Sequence, residues 1–244
     1  MKPQPKAGGK LTEGGKTTVG EANLLSMQLS LILPLVATLV SFAMGAYCFF
    51  KKGKPLCMQT LVLAMGSHAL GSIYQLCLTL SNEDVLEGFT PAYLGRIGFF
   101  LFLLTSSYGQ LDRIVDDGTP KMRRARLLAL IAPLCAVLLY IPNYLIDYVP
   151  MATKISYALV WIPAAVSVYF SLKHALIPDL DFGFIKAIKP YNVFVLCLSF
   201  AELLCLTAWD YLRSLPLIIT SVIFSLLCVC TMLSAKRGVE KWTV

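Results

Sequence analysis

Hydrophobic and polar positions along this chain fall into long blocks, with polar residues confined to short interruptions. A hydrocarbon core about 30 Å thick takes about 20 helical residues to cross. Seven blocks meet that length: Leu24 to Phe50, Met58 to Leu80, Ala92 to Leu111, Leu127 to Tyr144, Ile155 to Leu172, Tyr191 to Trp209, and Leu215 to Ala235. Apolar side chains occupy every face of these blocks, which predicts helices surrounded by lipid or by one another. The expected fold is therefore an all-α membrane protein, a seven-transmembrane helix bundle over residues 24–235.

The flanks differ from the blocks. Residues 1–23, "MKPQPKAGGKLTEGGKTTVGEAN", are rich in Gly, Lys and Thr and lack an apolar period, so a disordered N-terminal tail is expected. The tail and the run after it do not read as a signal peptide, whose apolar region spans only about 7 to 15 residues. Residues 236–244 form a short basic C-terminal tail.

Charge sets the expected orientation. The first, third and fifth loops hold Lys51, Lys52 and Lys54, then Arg113, Lys121, Arg123, Arg124 and Arg126, then Lys173, Lys186 and Lys189. The second loop, "SNEDVLEGFTP", has three acids and no cation, and the fourth and sixth carry only Lys154 and Arg213. Cations gather on the cytoplasmic side, so the N-terminus is expected outside and the C-terminus in the cytoplasm. Lys2, Lys6, Lys10 and Lys16 run against this rule, but a short tail can be translocated.

Composition agrees with the pattern. With 57% hydrophobic and 14% charged residues and a mean hydropathy of +0.70, the chain is too apolar for a soluble domain of its length. The net charge of +7 follows from the loop cations and reads as topology, with no nucleic-acid partner implied. The eight cysteines lie in or beside apolar runs without a CxxC pair, as small packing residues do. The expected setting is a cell membrane, plasma or bacterial inner, with the lipid bilayer as the first partner.

Against that background a few polar residues stand out. Counted at about 1.5 Å per residue, Glu202 lies near the middle of the sixth block and His68 near the middle of the second, at one depth. Arg96 lies roughly 7 Å outward of that level by the same rise. Ionisable groups at such depth are costly and face a bundle interior, a partner or water. The simplest arrangement is a pair or network among Glu202, Arg96 and His68. Trp209 shares a face with Glu202, and with Asp210, Tyr74, Gln75 and Tyr93 it marks a candidate pocket opening outward. The competing reading of the aromatics is an interfacial belt. Gly66, Ala69, Gly71 and Ser72 would allow close helix approach.

Two stretches repeat faintly. "GAYCFFK" ends the first block and "SVYFSLK" the fifth, while "VLAMGSH" and "VLCLSFAE" occupy similar places in the second and sixth. This spacing suits a parallel three-plus-one-plus-three repeat, an arrangement found among small-solute carriers.

Several chemistries are disfavoured. The last block has no lysine for a retinal Schiff base, and His68 and His174, the two histidines, sit on opposite sides of the midplane, so neither a metal site nor haem is expected. No nucleophile stands beside a base at helical spacing, which leaves enzymatic activity least favoured and no cofactor implied. The first functional expectation is a sensor or receptor-like protein that binds a small ligand around Glu202, His68 and Arg96. It would signal to a cytoplasmic protein partner through Arg113, Lys121, Arg123, Arg124 and Arg126. The alternatives are a small-solute transporter, proton-coupled at Glu202, and a structural subunit of a membrane complex.

Overall fold

The computed structural model describes the backbone of residues 14–50, 55–81, 89–115, 120–145, 149–177, 183–211 and 214–242. Side chains are described over 27–50, 55–81, 89–107, 120–145, 149–177, 189–208 and 215–238. Every regular element among them is a helix: α1 Gly14–Phe49, α2 Leu56–Leu80, α3 Pro91–Val115, α4 Pro120–Ala129, α5 Ile131–Leu145, α6 Met151–Leu176, α7 Gly183–Tyr211 and α8 Ser214–Trp242. Six stretches are long and apolar enough to cross a membrane: Met27–Phe49, Leu56–Leu80, Pro120–Leu145, Met151–Leu176, Lys189–Ala208 and Leu215–Gly238. The chain is a multi-pass, all-helical integral membrane protein. The third expected block forms α3, a helix of the same bundle whose side chains are described only as far as Ser107.

Boundaries depart from the hydropathy pattern where backbone chemistry decides. α1 begins at Gly14, inside the segment expected to be a tail, because an established helix adds each further residue at little cost. α8 likewise runs through "AKRGVEK" to Trp242. The fourth block is two helices meeting at Leu130. Pro133 explains the break: it has no N–H for the Ala129 carbonyl, and its ring crowds that carbonyl. Pro34, Pro142, Pro163 and Pro190 stay inside their helices, as membrane helices allow.

Packing arranges six helices as a closed ring. α1 packs on α2, α2 on α3, α3 on α6, α6 on α7, α7 on α8, and α8 back on α1. The pair α4–α5 stands beside this ring, against α6 and α7. Its seam with α6 is aromatic: the Tyr140 ring lies 5.6 Å from Trp161, and Trp161 donates Nε1–H to the Ala136 carbonyl at 2.9 Å. Large apolar side chains such as Leu70, Leu134, Ile162 and Leu226 face outward around the bundle, where lipid replaces water.

The tightest joint lies between α2 and α3. A Cβ on Gly95 would stand 2.6 Å from the Gly71 Cα, and one on Gly71 would stand 2.8 Å from the Ala92 carbonyl oxygen. The two backbones touch without side chains between them. Ser67 completes the contact, donating Oγ–H to the Gly95 carbonyl at 3.0 Å. Of the small residues read from the sequence, Gly71 makes this joint, while Gly66 receives the Phe42 ring of α1.

Candidate functional site

The α2–α3 joint determines what lies beside it. Arg96 follows Gly95 and Phe99 comes one turn later, so both are carried to the interior next to His68 of α2. From α7, Glu202 reaches the same point. Its Oε1 accepts from Arg96 Nε at 3.1 Å, and its Oε2 lies 3.1 Å from His68 Nε2. The histidine contact is at ion-pair distance, with its N–H off the line to the oxygen. Glu202 therefore divides its two oxygens between two helices of the ring.

Both inner partners are closed off from the surroundings. The side chains of Glu202 and His68 are 3% and 4% exposed, whereas that of Arg96 is 20% exposed. The His68 ring sits between Phe99, edge-on at 5.1 Å, and Phe224 of α8, tilted at 4.8 Å. On its far side, Nδ1 lies 3.3 Å from the Ser72 hydroxyl. The two ring nitrogens thus face the Ser72 hydroxyl on one side and the carboxylate on the other.

Arg96 is the open member of the cluster. Its bond to Glu202 runs through Nε, and among the described residues its Nη nitrogens carry no hydrogen bond. One turn away on α3, Tyr93 is half-buried and packs edge-on against Tyr157 of α6 at 5.6 Å. Among the described residues the guanidinium thus keeps its Nη donors unbonded, one helical turn from Tyr93.

The remaining expected site residues divide by place. Tyr74 and Gln75 are half-buried near the end of α2 and share no hydrogen bond with the cluster. Gln75 stands two turns from His68 on the same face. Trp209 and Asp210 belong to the last turn of α7, with side chains outside the described residues. Of the expected cytoplasmic docking residues, Lys121, Arg123 and Arg124 are exposed on α4, whose Met122, Ala125 and Ala129 are buried; Arg126 is half-buried, and the Arg113 side chain is outside the described residues.

Phe99 and Phe224 escaped the sequence reading, and Ser72 was read there only as a small packing residue. Ser72 had a signal, since it lies four residues after His68 on one helix face. Phe99 and Phe224 had none, because phenylalanines fill every block. Neither had the second polar tie between α3 and α7, the 2.6 Å hydrogen bond between the hydroxyls of Ser106 and Tyr191. From Arg96 to Ser106 and from Glu202 to Tyr191 the two helices advance by nearly equal rises, about 15 Å. The two ties are rungs across one antiparallel pair.

The cluster can hold a carboxylate, exchange it for another anion at Arg96, or release both partners when Glu202 is neutralised. No protein-family model matches the chain, and comparison with curated proteins and with solved structures gives no match.

Proposed function

We propose that this protein is a seven-span carrier of a small anionic solute in a cell membrane, with its N-terminus outside and its C-terminus in the cytoplasm. The observation that carries the reading is the placement of Glu202, His68 and Arg96 inside a closed ring of six helices, with the fourth crossing standing beside it. A carrier needs a polar site near the bilayer midplane that two groups of helices share. Arg96 supplies the recognition chemistry: its Nη donors, unbonded among the described residues, suit a carboxylate or another planar anion, for which Glu202 is the resident competitor.

The coupling would follow from the same competition. An entering anion takes Arg96 from Glu202, and a proton on Glu202 makes that exchange electrically neutral. The test is uptake into proteoliposomes that enclose a pH-sensitive dye, with acetate, lactate, succinate, glutamate and glucose as the outside solutes. Expected is acidification driven by at least one of the acids, absent with glucose, and lost in Glu202→Gln. Binding of an acid by the purified protein without any movement across the membrane would overturn the carrier reading.

That last outcome would favour the sensor reading, which has its own observation. α4 buries one face and holds Lys121, Arg123 and Arg124 exposed, a basic surface suited to an acidic cytoplasmic partner. Failure of the chain to remain folded when purified alone would instead favour a subunit of a larger complex.

A further inference from the structure

The ring of helix contacts repeats itself. Read α1, α2 and α3 as one triplet and α6, α7 and α8 as another. The contacts of α1 with α2 and of α2 with α3 then correspond to those of α6 with α7 and of α7 with α8. The two contacts between triplets, α3 with α6 and α8 with α1, also exchange into each other. One crossing, α4–α5, separates the triplets, so both run in the same direction through the membrane.

The correspondence extends to residues. Along α2 and α7 a constant step of 134 residues matches buried Leu61, Met65 and Ala69 with buried Val195, Ser199 and Leu203. The same step matches outward Leu63 and Leu70 with outward Cys197 and Leu204. Along α3 and α8 a step of 125 pairs buried Phe99, Leu103 and Ser106 with Phe224, Cys228 and Thr231, and exposed Leu94 and Leu101 with Ile219 and Leu226.

Contacts obey these two steps as well. The Gly71–Gly95 joint corresponds to Cys205 and Thr220, which lie on the packed pair α7 and α8. More telling are residues that meet their own counterparts. His68 corresponds to Glu202, its partner at 3.1 Å. Phe99 corresponds to Phe224, and their ring centroids are 6.1 Å apart. Helical periodicity alone can align two burial patterns, but it does not bring counterparts together. A two-fold axis does, because residues on it touch their own images.

We propose that the chain is an internal duplication, in which α1–α3 and α6–α8 are related by an approximate two-fold axis through the His68–Glu202 contact, and that the solute crosses along this axis as the halves rock. The rocking rests on the carrier reading; the duplication does not. Glu202 ties the halves together, binding His68 and Arg96 of the first half from α7 of the second. Release of one carboxylate thus loosens both of these contacts at once. The symmetry is broken in chemistry, since Arg96 has Ser221 as its counterpart, and the site carries its guanidinium on one half alone.

Two experiments on the full chain test the proposal. The first builds the mirrored site. His68→Glu with Glu202→His, leaving Arg96 in place, is expected to lower the thermal midpoint in detergent, since the new acid faces Ser221 in place of a cation. Adding Arg96→Ser and Ser221→Arg is expected to restore more than half of the loss. A quadruple variant no more stable than the double would overturn the duplication. The second places spin labels on Leu94→Cys with Ile219→Cys at one end of the bundle, and on Phe50→Cys with Leu176→Cys at the other, with the eight native cysteines replaced. In nanodiscs, Glu202→Gln is expected to shift the two distances in opposite senses. Unchanged distances at both ends, with the circular dichroism also unchanged, would overturn the rocking and leave the duplication to the mirrored site. Absence of acid uptake beside a rescued quadruple variant would remove the carrier reading alone.

Discussion

Arg96 reaches Glu202 through Nε at 3.1 Å from a different helix, and among the described residues its Nη nitrogens carry no hydrogen bond. Glu202 is the more heavily committed of the two, because its second oxygen faces His68. Substitutions at the two positions should therefore be unequal. Glu202→Gln strands a guanidinium and an imidazole, and breaking a buried pair in this way costs about 3–5 kcal/mol. Arg96→Gln leaves the carboxylate with His68 and should cost less. The double variant is expected to be more stable than the sum of the single losses, by a coupling of about 0.5–3 kcal/mol, read from thermal midpoints in detergent. Strict additivity would mean that the contact carries no stabilisation.

Gly95→Ala tests the joint that brings Arg96 to its place. The added methyl meets Gly71 Cα at 2.6 Å, with no flexible side chain to give way, so the helices must separate. Overpacking of this kind costs about 1–3 kcal/mol. Gly66→Ala meets the Phe42 ring, at 2.9 Å, and a ring can turn. The expected order of thermal stability is wild type, then Gly66→Ala, then Gly95→Ala.

Trp161→Phe examines how the fourth crossing is held to the ring. It removes the Nε1–H bond to the Ala136 carbonyl while keeping an aromatic ring against Tyr140. A net loss of about 1 kcal/mol is expected. The effect should be local: faster hydrogen exchange in α5, with α2 and α3 unchanged.

The orientation proposed for the chain fixes where an impermeant thiol reagent can act. On intact cells, Ser81→Cys at the end of α2 should be labelled and Lys121→Cys at the start of α4 should be protected, in a background without the native cysteines. Both residues are exposed. The reverse pattern would invert the orientation and assign the positive loops to the outside, against the usual bias.

The sequence alone determined that this is a membrane protein and where most of its helices lie. Apolar blocks of sufficient length leave few alternatives once the backbone must satisfy its own hydrogen bonds in lipid. It also singled out Glu202, because an acid among apolar neighbours is costly wherever the helix faces. Counting residues placed His68 at the same depth. The break at Leu130 was not read from hydropathy, which does not register what Pro133 removes from the backbone.

Tertiary structure alone decided which of these residues meet. Glu202 binds both His68 and Arg96 because Gly71 and Gly95 allow α3 to approach α2 until their backbones touch, and no single-helix pattern contains that distance. It also decided the register of the repeat. Matching "VLAMGSH" to "VLCLSFAE" by identity aligns Val62 with Val195, whereas the contacts align Val62 with Leu196 and His68 with Glu202. A one-residue slip turns a helix by about 100 degrees. In a membrane helix, where Leu, Val and Cys are interchangeable on every face, residue identities cannot detect such a slip; the meeting of counterparts across an axis can.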